Sequence, residues 1–523
     1  LDECMFFTLK YIFGEVLKNY LLWQILILPP SAGSHLMQMN SVADGLITMG
    51  HEVFTILNSR TKFSKDILSL KVKVIEFDPG AEPVFQTRAY QEVSLAPELL
   101  SHGFFENFKY LDKMFDKLNA ECRGVLSNKD LFKKLEAERF DLVVVDGVLQ
   151  CLTIIPYRLG VPFGVFMAFL PLNIPHVALQ SQLLFRGPVE DWIFGNSNLP
   201  PFVGKLLKIF LVGALGNSIE VYGDIANITL FELQKQTKLW LYDVSKVLDT
   251  PVPVSPNVIN VGGLNVKKPK PLPAGELKQF VDTASDGFIL VSFGSLIKFF
   301  PDSIVNILLD TFRDVPYKIV WKWDKTLLKN YQVLPSNVLA VNWIPQNDVL
   351  GHRNIKLFLT HCGNSGQHEA LYSSVPMVGL PLFADQPFNC RRIEEHFGRH
   401  IRAKDLSKDK LLHLIKQVIS DRKYSDNIKK ASAIFRDQPM EPRETAAYWI
   451  DHVIKYGADH LMSTTNEITT IEMSWIQILM WDVLFVVCVV ISLLLLVVFL
   501  VCRCLFRRCC RSKIVIKEKA KLS

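Results

Sequence analysis

Apolar residues along this chain come in short uninterrupted runs separated by longer amphipathic stretches. Gln24-Ile25-Leu26-Ile27-Leu28 is such a run, closed by Pro29-Pro30, and the turn Ser31-Ala32-Gly33-Ser34 leads from it into a helical pattern. Gly50-His51 and the run Glu52 to Leu57 read as a turn and a second strand, and Asp141 to Asp146 as a later one. After a stiff polar stretch, Leu264 to Gly275, which carries Pro269, Pro271 and Pro273, the alternation restarts at Phe288 to Phe293. It continues at Lys318 to Trp321, Val338 to Val341 and Leu357 to Phe358-Leu359. Runs that are apolar on both faces belong to parallel sheets covered by helices on each side. The pattern predicts an α/β protein of two facing doubly wound domains, with ligands at the carboxyl ends of the strands. Val483 to Cys502 differs in kind, being twenty uncharged residues between Asp482 and Arg503, the length of a bilayer's hydrocarbon core. The expected division is an atypical N-terminal segment 1–22, a first domain 23–263, a linker 264–275 and a second domain with C-terminal helices, 276–456. A juxtamembrane segment 457–482, a membrane helix 483–502 and a tail 503–523 complete it.

Length and composition fit this picture: 523 residues exceed what a single core usually holds, with 49% hydrophobic and 21% charged residues. The formal net charge of +6 comes from the tail, where eight Lys or Arg stand against Glu518 alone. With no basic stripe in the body of the chain, nucleic acid is not an expected partner. Arg503, Arg507, Arg508 and Arg511 follow the apolar helix and mark its cytoplasmic side, which predicts a type I topology with the domains on the lumenal side. That topology calls for a signal peptide, whereas residues 1–22 carry Asp2, Glu3, Lys10, Glu15 and Lys18. They read as a signal remnant or a misassigned start. Asn227-Ile228-Thr229 is a glycosylation sequon at Asn227, in keeping with a lumenal domain. Of ten cysteines, Cys488, Cys502, Cys504, Cys509 and Cys510 lie in or beside the membrane segment, where S-acylation and plain reduced thiols are both open. Cys4, Cys122, Cys151, Cys362 and Cys390 are scattered, without metal spacing or a disulfide framework.

The most informative stretch begins at Trp343-Ile344-Pro345-Gln346. It continues through His361-Cys362-Gly363-Asn364-Ser365-Gly366, Glu369, Pro376 and Pro381 to Asp385-Gln386, 44 residues in all. A strand ending at Thr360, small residues and a helix starting near Gly366 make an anion site suited to a diphosphate. This stretch resembles the signature of the UDP-glycosyltransferase family, specifically its animal, membrane-bound UDP-glucuronosyltransferase-like members. Asp437-Gln438-Pro439 and Trp449 extend the resemblance to roughly residues 24–523. The resemblance implies a GT-B arrangement of two Rossmann-like domains, the first binding the acceptor and the second the UDP-sugar, with no metal and no cofactor beyond the UDP-sugar co-substrate. It implies that His361 donates to a phosphate, Glu369 accepts the ribose hydroxyls and Trp343 faces uracil. Ser295, Gln346, Gly363, Ser365 and Gly366 join the UDP-sugar site, and Asp385 and Gln386 meet the sugar hydroxyls. Taken one at a time, Gly363 and Gly366 are as well turn residues and His361 a core histidine. The family usually carries Asn two residues after the glycine of this cluster; here Asn364 comes one residue early and Ser365 fills that slot.

The same resemblance makes His35, at the mouth of the first βα turn, the base that deprotonates the acceptor, and Asp146 the carboxylate that orients its imidazole. The helix N-terminus is expected to keep that imidazole neutral. Singly, His35 reads as an exposed helix cap and Asp146 as an N-cap. The expected reaction is a metal-independent inverting transfer of glucuronate or glucose to a hydroxyl of a small lipophilic alcohol or phenol. Trp240-Leu241-Tyr242 is followed by Asp243, where glucuronosyl-transferring relatives carry Arg, so a carboxylate is expected to face any donor carboxylate and repel it. Phe169 to Gly216, with Trp192, Phe194, Phe202 and Phe210, suits a lipophilic pocket or core, and Lys205 and Lys208 would suit a helix laid on the lumenal leaflet. Lys519 and Lys521 resemble a dibasic endoplasmic-reticulum retrieval signal, or are a solvated charge run. A non-catalytic subunit of the same family is the main rival reading; its expected mark, loss of His35 or Asp146, is absent. A nicotinamide oxidoreductase lacks a G-x-G-x-x-G after a strand. Homo- or hetero-oligomers are both open.

Overall fold

The computed structural model describes residues 22–30, 33–61, 68, 71–80, 82–84, 87, 104–168, 228, 230–249, 254–297, 300–324, 334–383, 385–394, 396–462 and 481–519. The aromatic stretch 169–216 with Lys205 and Lys208, and also Asn227, Cys4 and Lys521, lie outside them. Seven strands form the first sheet: β1 Gln24–Leu28, β2 Glu52–Asn58, β3 Lys73–Phe77, β4 Leu142–Asp146, β5 Phe163–Met167, β6 Leu239–Tyr242 and β7 Val258–Asn260. Their order is β3-β2-β1-β4-β5-β6-β7, and every pairing is parallel. The second sheet holds β8 Phe288–Ser292, β9 Lys318–Lys322, β10 Val338–Val341, β11 Ile355–Thr360, β12 Met377–Gly379 and β13 Gly398–His400. Its order is β10-β9-β8-β11-β12-β13, again parallel throughout. The central strands are buried along their length, Leu142 to Asp146 and Phe288 to Ser292 without exception, which is why they read as unbroken apolar runs. In each sheet the order reverses beside the first strand, between β1 and β4 and between β8 and β11, and a crevice opens at such a point.

The helices that matter to the site are α1 Gly33–Thr48, α2 Phe104–Leu126, α3 Gln346–Leu350, α4 Asn364–Tyr372, α5 Gln386–Ile393, α6 Pro442–Tyr456 and α7 Trp481–Lys519. α4 begins two residues earlier than Gly366, at Asn364. α6 follows the second sheet in sequence but packs on the first: Ala446, Ala447, Ile450 and Val453 join the core that holds Ile25, Val42 and Leu46. The approach is close enough that a Cβ on Gly45 of α1 would stand 2.6 Å from the Arg443 carbonyl oxygen. The linker is pinned to the second domain. Lys267 N donates to Asn347 Oδ1 (3.2 Å), Lys270 N donates to Asp348 Oδ1 (2.8 Å), and Asn347 Nδ2 donates to the Asn265 carbonyl (3.0 Å). In α7, Trp481–Cys504 contains an 18-residue window with a mean hydropathy of 3.6 that is wholly exposed, so the helix is long and apolar enough to cross a membrane.

Four of the scattered cysteines are paired, which corrects the expectation of no disulfides. Cys122 on α2 bonds Cys151, and Cys362 bonds Cys390 on α5. Separations of 29 and 28 residues follow no periodic rule, and only the folded sheets bring the partners together.

Candidate functional site

His35 lies in the first turn of α1, directly after β1, and Asp146 is the last residue of the neighbouring strand β4. Both therefore stand at the carboxyl edge of the first sheet, at its switch point. His35 Nδ1 donates to Asp146 Oδ2 at 2.8 Å, the carboxylate being fully buried and the imidazole 14% exposed. The other oxygen, Oδ1, accepts from Val148 N at 2.9 Å, so Asp146 is at once a helix N-cap and the partner of the histidine. Both readings of Asp146 hold together. Burial alone would lower the basicity of His35, but the charge and hydrogen bond of Asp146, then the charges of Asp385 and Asp243, outweigh it and raise the imidazole above its ordinary range. This corrects the expectation of a helix terminus keeping the ring neutral: carboxylates decide the sign. With Nδ1–H held by Asp146, Nε2 on the opposite edge is the atom that can accept a proton.

The second domain supplies a cradle at its own switch point. α4 begins after Gly363 with no side chain capping it, leaving first-turn N–H groups for a ligand. His361 is sandwiched between Gly294, after β8, and Gly363; a Cβ at either would fall 2.6 Å from its Nε2. Gly294 also takes a positive φ of 81°. Burial and the nearby Lys322 hold His361 down at about 3, so it is a neutral donor at physiological pH. Cys362 adopts φ 65°, rare for a residue with a side chain, and is fixed there by Cys390 and by its N–H donating to Thr360 Oγ1 at 3.2 Å. Ser295 stands half-buried beside Gly294. Ser365 Oγ accepts from Asn265 Nδ2 at 3.1 Å, which leaves its hydroxyl proton able to donate.

Glu369 on α4 accepts from Gln346 Nε2 and, at 3.0 Å, from Asn347 Nδ2; burial pushes its carboxyl up to about 7. Gly366 is buried beside Phe358, near the amide of Gln346. Trp343 is 56% exposed, and the Lys322 ammonium lies 4.3 Å from its ring centroid. Lys322 also donates to the Gly294 carbonyl (3.2 Å), and desolvation lowers it to about 8. This cation at the end of β9 escaped sequence reasoning, since a terminal strand lysine reads as a solvated end. Asp385 stands at the start of α5 without capping it, its carboxylate bonded by Asn389 and raised by burial. Gln386 turns its carbonyl back onto Leu382 N (2.9 Å) and Phe383 N (3.2 Å), so its amide NH2 is the end left for a ligand.

Asn364 and Asp243 do something the sequence did not suggest. Asn364 Nδ2 donates to the carbonyls of Ala168 and Asp243, each at 2.7 Å, reaching from the second domain into the first. Arg392 on α5 donates to Asn364 Oδ1, to Gln367 Oε1 at 2.6 Å and to Asp249 Oδ1 at 2.5 Å, the last a buried ion pair. The Asp243 carboxylate accepts from Gln38 of α1 and from Gly263 N (2.6 Å), and burial raises it to about 7. Asn364 is a tether between the domains, and Asp243 is enclosed among donors rather than held out toward a ligand.

Residues 24–520 match the family described as UDP-glucoronosyl and UDP-glucosyl transferase. The chain is 31% identical to UDP-glucuronosyltransferase 2B19 of Macaca fascicularis, over 91% of this chain and 92% of the relative. It is 29% identical to UDP-glucuronosyltransferase 2B15 of Homo sapiens, over 94% of each. Among solved structures, the glycotransferase of kitacinnamycin superposes with a TM-score of 0.58 at 18% identity, covering 83% of this chain and all (100%) of that one. Os79 from O. sativa in complex with UDP gives 0.58 at 17%, covering 82% and 100%.

Proposed function

Because the chain belongs to the UDP-glucoronosyl and UDP-glucosyl transferase family, we propose that it moves a hexosyl group, glucuronate or glucose, from a UDP-sugar to a hydroxyl of a small lipophilic alcohol or phenol. The observation that carries this reading is the His35–Asp146 hydrogen bond of 2.8 Å, whose imidazole also lies in the field of Asp385 from the other domain. In the proposed step the acceptor oxygen attacks the anomeric carbon as His35 Nε2 takes its proton. The bond from that carbon to the diphosphate oxygen breaks, and configuration inverts. Asp146 stabilises the imidazolium so formed. The uncapped start of α4, neutral His361, Ser295 and Ser365 receive the charge that develops on the departing diphosphate. Glu369 takes the ribose hydroxyls, with Gln346 orienting it, and Trp343 the base, while Asp385 and Gln386 take the sugar. UDP-sugar is the co-substrate, and no step calls for a metal or cofactor.

The membrane reading has α7 spanning the endoplasmic-reticulum bilayer once, domains lumenal and basic tail cytoplasmic. Two disulfides, which form in oxidising compartments, support it. The test is purified full-length protein given a UDP-sugar panel and a phenolic acceptor, beside His35→Ala. Glycosylated product from the parent, with UDP binding but no product from the variant, is the expected result. Near-normal turnover by the variant would refute the role of His35.

A further inference from the structure

The turn that precedes α4 is held by a covalent link at an unusual point of backbone. Between β11 and α4 the chain runs His361-Cys362-Gly363, and the middle residue takes φ 65°, a left-handed conformation that the Cβ of an L-residue disfavours. Cys362 is thus the joint between two parts of the cradle. On one side the His361 ring lies against Gly363, and on the other Gly363 opens the uncapped first turn of α4. Rotation about φ at 362 would swing the one away from the other.

The far end of the link is Cys390, in the second turn of α5, five positions after Asp385. Both cysteines are buried, and their sulfurs lie against Gly379 at the end of β12, where a Cβ would have no room. The bodies of the two helices are joined separately, Gln367 Nε2 donating to the Asn389 carbonyl (2.9 Å) and Arg392 Nε donating to Gln367 Oε1 (2.6 Å). Those bonds act one turn into α4, beyond the residue whose conformation is at stake. Resting on the reading of this crevice as a UDP-sugar site, we propose that the Cys362–Cys390 bridge is a positioning crosslink. It holds residue 362 left-handed and so presets His361 and the start of α4 for a diphosphate. With a Cβ at 362 and no bridge, the turn relaxes toward the ordinary backbone regions, and a ligand meets fewer molecules in the competent form. The other bridge, Cys122–Cys151, lies in the core of the first domain, and neither of its cysteines takes a positive φ.

The test separates positioning from stability. Full-length protein in detergent, purified as its folded species, is titrated calorimetrically with UDP beside three double variants. Cys362→Ala/Cys390→Ala loses the bridge and keeps a Cβ at 362, so its UDP dissociation constant should rise about five- to thirty-fold, the weight of one left-handed residue. Cys362→Gly/Cys390→Ala loses the same bridge but lets the backbone enter that region freely, and it should recover most of the affinity. Cys122→Ala/Cys151→Ala should melt earlier and bind UDP as the parent does. Parent-like affinity in the alanine pair at 362 and 390 would overturn the proposal, and so would equal weakening in the alanine and glycine pairs, which would reduce the bridge to a source of stability. Should the alanine pair not fold, Cys390→Ala alone, which keeps the Cβ at 362, takes its place in the comparison. A parent that does not bind UDP would instead remove the nucleotide reading beneath the proposal.

Discussion

Two buried carboxylates occupy matching places in the first sheet, Asp146 at the end of β4 and Asp243 just past the end of β6, yet they belong to different kinds of region. Asp146 meets Val148 N and an imidazole that retains 14% exposure at a crevice. Asp243 meets Gln38, Gly263 N and Asn364, all within a closed seam between domains. Topology gives both residues the same address. Access and partner decide that one serves the proposed proton transfer while the other holds two domains in register.

The contrast can be broken at either place. The largest effect is expected for His35→Ala, which removes the group able to take a proton: transfer should fall about 10²- to 10⁴-fold in initial-rate assays, with UDP affinity unchanged. At the seam, Arg392→Met should leave Asp249 buried and unpaired, costing about 3–5 kcal/mol in urea unfolding, with activity lost only as fast as folded protein is lost. A seam that unfolds no more easily in this variant would show the network to be idle. Asn364→Ala is milder, about 1–3 kcal/mol, since it strands neutral partners and the Arg392 bond. Gly363→Ala acts on the cradle alone by displacing the His361 ring, and UDP affinity measured by calorimetry should drop by about 1–2 kcal/mol, the worth of one lost hydrogen bond to an anion.

The smallest effect is a shift in pH dependence. In the proposed step His35 acts unprotonated, so the rate is expected to be full above its raised pKa and to fall as pH drops through it. The acid limb of the pH–rate profile should lie above 6.5. Burial opposes the charged ring, and Asp146 leads the groups that overcome it, so Asp146→Asn should move the limb to lower pH. A limb that stays put would show Asp146 to be a helix cap alone.

The central strands, and the placing of His35, Asp146 and His361 at strand ends, were legible because their physics is local. A run such as Leu-Val-Val-Val needs burial on both faces, and glycines beside a histidine at a strand end need little else to suggest an anion site. β12 and β13, three residues each, carry too little pattern to be seen. Neither disulfide could be read, because pairing depends on where α2 and α5 come to rest. The role of Asn364 was equally hidden. Its amide looks like a displaced phosphate ligand until the Ala168 carbonyl, 196 positions away, is found 2.7 Å from it. The sign of the His35 shift was missed for the same reason, since two of the carboxylates that set it arrive from distant elements.

The return of α6 to the first sheet governs the order in which the polypeptide can mature. Val42, Leu46 and Ile25 are covered by Ala446, Ala447 and Ile450, so the first half stays incomplete until the ribosome has passed those codons. During synthesis an unclosed apolar flank must wait for almost the whole globular part to emerge. A chain stopped short of Pro442 would retain the strands of the second sheet yet present that flank to chaperones.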